Sequence, residues 1–457
     1  MPPPDQRAPA APEGAGSARA RGGGASGAGG RGAGPESGVP RATGADPGGR
    51  RLQSSHLALA LGAALALIVV LLGAWARVHA ALGDPNFDAQ TVEGMLKSDP
   101  ALLYYFIERI LEAGGGLPAD FRADPRILHP DTVDVLALFP LGMEFVIAWA
   151  RELTGSTTPL HVFCLQVTSL LASLAALGVY GLALELTRRV EWALVALVAF
   201  AATWANYRTV GFVLVGEDFS VPWFALHLYL LARARRLGTR GSIVLAAVAW
   251  IAAVATWHAT SFFVAIEAAL VFAWFVRTGR NPLARGAGLF VLVAVVLGCA
   301  VPILWSTRFV ASLPMALLLG LYAAARLARG GSVGRPRLVG AALGTAALVL
   351  AASFAASRLF GGGLTEYSHV WGLFAQKLAH LGTLPADPAE LPGEVRLMWQ
   401  GPFATASVSE LASQLGFGLL ALLWVLPRAW RVFRRGRAMR ASHWSAAGSS
   451  SASHARG

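Results

Sequence analysis

Apolar runs of membrane-crossing length alternate along the chain with short basic loops and two long polar ones. A helix needs about 20 apolar residues to cross a bilayer. That requirement predicts spans near 55–76, 161–186, 190–207, 219–234, 241–257, 260–276, 286–305, 309–325, 338–357 and 411–427. A further apolar stretch, 135–150, holds Pro140, Gly142 and Glu144 in its middle and is flanked by Asp131, Asp134 and Arg151. It reads as a helix lying in or near the interface rather than as a span. The predicted fold is an all-α polytopic membrane protein with about ten transmembrane helices and two long outer loops.

Charge decides the treatment of 135–150. With that stretch left out and the N-terminus cytoplasmic, every short loop on the cytoplasmic side is basic. These ends carry Arg50 and Arg51, then Arg188 and Arg189, then Arg233, Arg235, Arg236 and Arg240. Arg277, Arg280 and Arg285 follow, then Arg326, Arg329, Arg335 and Arg337, and finally Arg428 to Arg437. Counting 135–150 as a span inverts every later loop and breaks the positive-inside pattern. Both termini are therefore expected inside. The loops 77–160, 208–218, 258–259, 306–308 and 358–410 face outward and hold nearly all the acids beyond the N-terminal tail.

Composition agrees. Of 457 residues, 55% are hydrophobic and 14% charged, with mean hydropathy +0.54, which excludes an ordinary soluble domain. The net charge of +12 would suggest nucleic acid in a soluble protein. Here the arginines stand at the ends of apolar segments, so topology explains them and no nucleic-acid partner is expected. Cys164 and Cys299 lie inside apolar runs and define no disulfide framework. Residues 1–52 are almost entirely Gly, Ala, Pro, Arg and Ser and are expected to be a disordered cytoplasmic tail without a cleavable signal peptide. Residues 53–428 form the expected membrane domain, and 429–457 a basic, polar cytoplasmic tail.

Three acidic motifs fall beside the predicted spans on the outer face. In the first long loop, Ser98 or Asp99 can cap a helix that starts at Pro100, runs on at helical spacing through Arg109, and stops at Gly114 to Gly116. Asp84 and Asp88 of that loop read as turn residues. The second outer loop contains Arg208 and the adjacent pair Glu217-Asp218, and the last ends in Ser407-Val408-Ser409-Glu410. Each acid also suits a helix N-terminus through the dipole. A carboxylate at membrane depth is costly unless it meets a metal, a cation or a donor. His129, His258, His369 and His380 have no metal-ligand spacing, and Trp75, Trp257 and Trp305 suit an aromatic belt. Glu267 stands inside a span, where it calls for a polar cavity or a neighbouring helix.

In this order, over about residues 55–428, the motifs resemble the catalytic subunits of oligosaccharyltransferase, which have the type C glycosyltransferase membrane fold. Ser407 to Glu410 match the tetrapeptide of eukaryotic members unaltered, and the Asp99-Pro100 helix with Pro118, Asp120 and His129-Pro130-Asp131 is similar to bacterial and archaeal members. The resemblance implies metal-dependent transfer of a glycan from a polyprenyl-(pyro)phosphate donor to an asparagine on the outer face. It assigns Asp99 and Glu410 to catalysis, Asp99, Glu217, Asp218 and Glu410 to a Mn2+ or Mg2+ ion, and Arg208 to donor phosphate. Hard carboxylate oxygens suit those ions, the ion would neutralise the leaving pyrophosphate, and arginine suits phosphate. The expected partners are the polyprenyl-linked donor, a protein or lipid acceptor and membrane lipids. The expected location is a bacterial inner membrane with the site facing the periplasm.

Two departures from the family pattern stand out. Glu217 and Asp218 adjoin, whereas family members place a residue between these acids, so one of them alone suits the ligand role. The family's later spans and outer domain, with the sequon-reading Trp-Trp-Asp-Tyr-Gly motif, have no counterpart in the chain. Three alternatives therefore stand beside glycan transfer to asparagine. They are a type C enzyme using a polyprenyl-phosphate sugar with a lipid or glycan acceptor, a truncated inactive member, and a transporter or scaffold.

Overall fold

A computed structural model describes residues 47–92, 96, 99–203, 207, 214–257, 259–280, 286–329, 333–360, 368–399, 405, 407–416 and 418–420. The chain is overwhelmingly helical. The elements run α1 (Pro47–Leu82), α2 (Asp99–Glu112), a hairpin of β1 (Asp124–Leu128) and β2 (Asp131–Val133), α3 (Val135–Leu138) and α4 (Gly142–Thr154). The membrane-domain helices follow as α5 (Leu160–Thr187), α6 (Val190–Ala201), α7 (Gly216–Leu237), α8 (Arg240–Thr256), α9 (Thr260–Thr278), α10 (Ala287–Ala300), α11 (Pro302–Ser306), α12 (Leu313–Arg329) and α13 (Arg335–Phe360). Three short helices complete the described chain: α14 (Ser368–Ala379), α15 (Gly393–Met398) and α16 (Val408–Leu415).

Four helices are long and apolar enough to cross a membrane: α1 from His56, α5, α9 and α13 up to Leu359. Three more, α6, α8 and α10, are apolar but shorter. The architecture is thus an all-α protein with membrane-length helices, fewer of them than the apolar pattern predicts. The reasons are local. Pro302 lacks a backbone donor and separates α10 from α11, dividing the expected span 286–305. The stretch expected at 309–325 opens as a 3-10 turn at Phe309–Ala311 before α12 begins. In α7 acids occupy the first turn and Arg235 and Arg236 the last, so the expected span 219–234 is a shorter apolar middle between charged ends. The 190–207 stretch ends its helix at Ala201, and of 411–427 only α16 and 418–420 are described. The interface stretch 135–150 is two helices, α3 and α4, parted at Phe139-Pro140-Leu141. Neither is long enough to cross.

Small residues bring the long helices together, as membrane packing favours. A Cβ on Gly178 of α5 would lie 2.7 Å from the Ala225 Cβ of α7, and one on Gly320 of α12 would lie 2.4 Å from the Ala342 carbonyl of α13. The main core gathers α8, α9, α10 and α12 around Trp250, Phe275 and Met315. Outside it, α1 leaves Leu61, Leu65, Leu72 and Trp75 exposed, an apolar face suited to lipid.

Between α1 and α5, residues 99–154 fold on their own small core. Phe106 and Ile110 of α2 pack against Phe121, Val135 and Ala148. As the sequence predicts, α2 starts at Asp99-Pro100 and ends at the glycines, where Gly114 and Gly115 have φ of 64° and 73°. A left-handed backbone there favours glycine.

Candidate functional site around the acidic end of helix α7

Helix α7 begins in close approach to the end of α8. A Cβ on Gly216 would sit 3.0 Å from Trp257, so only glycine fits without displacement. Glu217 and Asp218 then occupy the first turn, half-buried, where the unpaired N–H groups favour negative charge. Facing them from α1 is Arg77, 3% exposed and within electrostatic reach of Asp218. Its Nε donates to Ser173 Oγ of α5 (3.4 Å), and its guanidinium lies 4.4 Å over the Tyr207 ring. Its Nη1 is buried without a hydrogen-bond partner. A buried guanidinium stays charged, so this end of the bundle combines fixed positive charge, a carboxylate and a helix N-terminus.

Asp99 is exposed at the start of α2. The same helix turns other groups inward. Arg109 forms an ion pair with Asp120 (3.0 Å), which Arg126 also reaches (3.2 Å). The Tyr105 hydroxyl donates to Asp124 Oδ2 (2.5 Å), and burial together with that carboxylate pushes the phenol up to about 12. Asp120 and Asp124 therefore brace the hairpin onto α2. The turn reading of the upstream acids fits, since Asp84 accepts from the Asn86 N–H (2.9 Å) and Asp88 from the Gln90 N–H (2.7 Å).

Glu410 stands at the third position of α16, fully exposed. Ser407 Oγ accepts from its N–H (3.1 Å), and its carboxylate accepts from the Ser407 N–H (2.7 Å), forming a capping box. Donation from the Ser407 N–H, the largest cause, holds its carboxyl below the ordinary range. The tetrapeptide is thus a helix start with its carboxylate already engaged.

The three motifs open three different helices. Among the described residues, no three His, Cys, Asp or Glu side chains come together in a group that could hold a metal ion, so Asp99, Glu217, Asp218 and Glu410 are not gathered into one ligand set. Arg208 lies outside the described residues. What the structure does bring within electrostatic reach is Asp218 and Arg77, a relation the sequence reading missed. The available signal was an arginine in the last turns of the first apolar helix. A second missed group is Glu144 of α4, 1% exposed, with Oε2 unpartnered and its carboxyl pushed up to about 8 by burial. Glu267, unexplained by the sequence, has a partner in His227 of α7 (2.9 Å). No family model matches this chain, and none of the curated proteins does.

Proposed function

We propose that the chain is a membrane glycosyltransferase of the oligosaccharyltransferase kind. It moves a glycan from a polyprenyl-(pyro)phosphate donor to an acceptor at the acid-bearing face, in the reading of a bacterial inner membrane the periplasmic face. One observation carries the proposal: at the start of α7, Asp218 lies within electrostatic reach of buried Arg77, whose Nη1 has no hydrogen-bond partner. Transfer from such a donor breaks a sugar–phosphate bond, and the leaving phosphate needs positive charge beside it. The unaltered Ser407–Glu410 tetrapeptide and the Asp99-Pro100 helix support the same reading.

The step follows from ordinary glycosyl transfer. The acceptor nucleophile attacks C1 of the donor sugar, and the C1–oxygen bond breaks with its electron pair leaving on phosphate. The proton of the acceptor passes to a carboxylate, the role the resemblance gives to Asp99 or Glu410. Arg77 and the α7 N-terminus stabilise the charge that develops on phosphate. The resemblance also implies a divalent cation, Mn2+ or Mg2+. The four carboxylates as arranged do not fit one, being spread over three helix starts with no metal-capable group among the described residues.

The test uses the full chain in lipid nanodiscs with a lipid-linked glycan, offering an Asn-x-Ser/Thr peptide or a lipid acceptor, with and without Mn2+. Asp218→Asn and Arg77→Gln are each expected to lower turnover by about 100-fold or more, the scale of a lost transition-state contact. Undiminished transfer in the Asp99→Asn, Glu410→Gln double variant sinks the catalytic assignment of those two residues. Transfer to lipid alone replaces asparagine with a lipid acceptor. Activity that needs Mn2+ shows that the carboxylates gather when donor binds.

A further inference from the structure

A second polar site lies halfway along α7, away from the acidic end. Helices α7, α8, α9, α10 and α12 enclose a cavity of about 60 Å3 bordered by His227, Glu267 and Trp250, with exposed Arg235 two turns further toward the basic end of α7. His227 is 1% exposed, its ring surrounded by Phe224, Trp250 and Phe290. Its Nδ1 is 2.8 Å from the Ala246 carbonyl, and its Nε2 is 2.9 and 3.2 Å from the two oxygens of Glu267.

These distances count the protons. A carbonyl only accepts, so Nδ1 carries hydrogen. The contact between Nε2 and Glu267 then needs one more proton, on the imidazole or on the carboxyl. With that proton the pair is neutral overall, as imidazolium with carboxylate or as imidazole with carboxylic acid. With none, a lone pair faces a carboxylate; with two, a net positive charge sits among aromatic rings. Either change is costly in a dry apolar interior and needs water beside the pair. A water needs on the order of 10–15 Å3 of such space, so the cavity has room for a few. Among the described residues, Arg235 is the other charged group that borders it. Toward the acidic end, Ser220 and Thr260 are bonded to each other, with Ser220 also donating to the Ala253 carbonyl (3.0 Å). The cavity reaches the Arg235 end of α7, where that side chain is exposed.

We propose that His227 and Glu267 form an intramembrane proton-binding site, loaded and emptied through this cavity from the basic end of α7. The proton comes from bulk water and returns to it as hydronium, so no other reactant is needed. A hydrogen bond kept only for packing would be insulated from solvent; this pair borders a cavity that reaches an exposed arginine. The site is separate from the proposed transferase centre and stands or falls without it.

The experiment is infrared difference spectroscopy on the full chain in proteoliposomes of known orientation, after a pH jump on one side. The expected result is a carboxyl signal when the pH changes on the side of Arg235, lost in Glu267→Gln and altered in His227→Gln. Val271→Phe, which narrows the cavity and leaves both members of the pair in place, is expected to slow the signal severalfold. A wild-type chain with no such signal overturns the proposal, as does an equal response to a jump on the acidic side. Both readings come from the unaltered chain and hold even if a variant fails to fold.

Discussion

Glu144 and Glu410 are both glutamates in the first turn of a helix, and their surroundings are opposite. Glu144 is 1% exposed in the segment between α1 and α5, with one carboxyl oxygen unpartnered and its proton held to about pH 8. Glu410 is exposed, engaged by its own capping box, and more acidic than usual. The segments that carry them differ in the same way. Residues 99–154 bury Phe106, Phe121, Ile110 and Ile147 completely, whereas the described part of 358–410 has one small cluster of Leu373, Leu391, Val395 and Trp399. The more legible carboxylate in sequence terms is the one whose needs are met locally. The carboxylate under electrostatic stress sits where packing, invisible to a motif, has removed its water.

The largest expected effect tests whether the first segment is a cooperative unit. Phe106 is wholly buried, with its ring against Phe121 (5.7 Å) and Phe139 (5.1 Å). Phe106→Ala is expected to cost about 3–5 kcal/mol through lost burial and the cavity left behind. Hydrogen exchange should show α2 and the hairpin losing protection while α14 and α15 keep theirs. Equal loss in both segments would remove the contrast between them.

The next effect concerns Glu144 itself. Its carboxyl binds its proton more tightly when folded, because burial penalises the charge. The folded state therefore holds more protons than the unfolded one between the ordinary carboxyl range and about pH 8. The contribution to stability is complete below that window and is lost as pH rises through it. Glu144→Gln removes the titration. Its unfolding free energy is expected to stay flat over the window while that of the parent chain falls, the gap reaching on the order of 5 kcal/mol on the alkaline side. A parent chain with no such fall would show that water reaches Glu144.

How much of this could be read from the residues follows from the range of each interaction. The start of α2 at Asp99-Pro100, its stop at Gly114, and the turns at Asp84 and Asp88 are settled within a few residues, so their signals are in the sequence. Helices α1, α5, α9 and α13 were legible for the same reason, being long uninterrupted apolar runs. The shorter helices misled because apolarity persists across Pro302 and the turn at 309–311, where backbone constraints end a helix that hydropathy would continue. The hydrogen bond of His227 with Glu267 and the electrostatic relation of Arg77 to Asp218 link residues far apart in the chain. They depend on how helices rotate against one another, which period and composition do not specify. The same holds for the acidic motifs: each helix start was readable, but their spatial relation was not, and among the described residues no three such side chains form a group that could hold a metal ion.

The smallest effect on stability decides the most about Glu410. Ser407→Ala removes the hydroxyl that accepts from the Glu410 N–H, and a lost cap of this kind costs about 1 kcal/mol. It leaves the Ser407 N–H, which still donates to the Glu410 carboxylate. Glu410→Gln removes the carboxylate and keeps the hydroxyl cap. Because the folded carboxyl is more acidic than usual, its contribution is present above the ordinary carboxyl range and fades as pH falls through the lowered value. If the tetrapeptide only starts α16, both variants fray the helix slightly, as hydrogen exchange at α16 would show, and neither changes glycan transfer beyond that. If the carboxylate also serves the reaction, Ser407→Ala keeps transfer near the parent level while Glu410→Gln loses about 100-fold or more. That divergence at matched stability would move Glu410 from the exposed, satisfied side of the comparison to the side of groups held for chemistry.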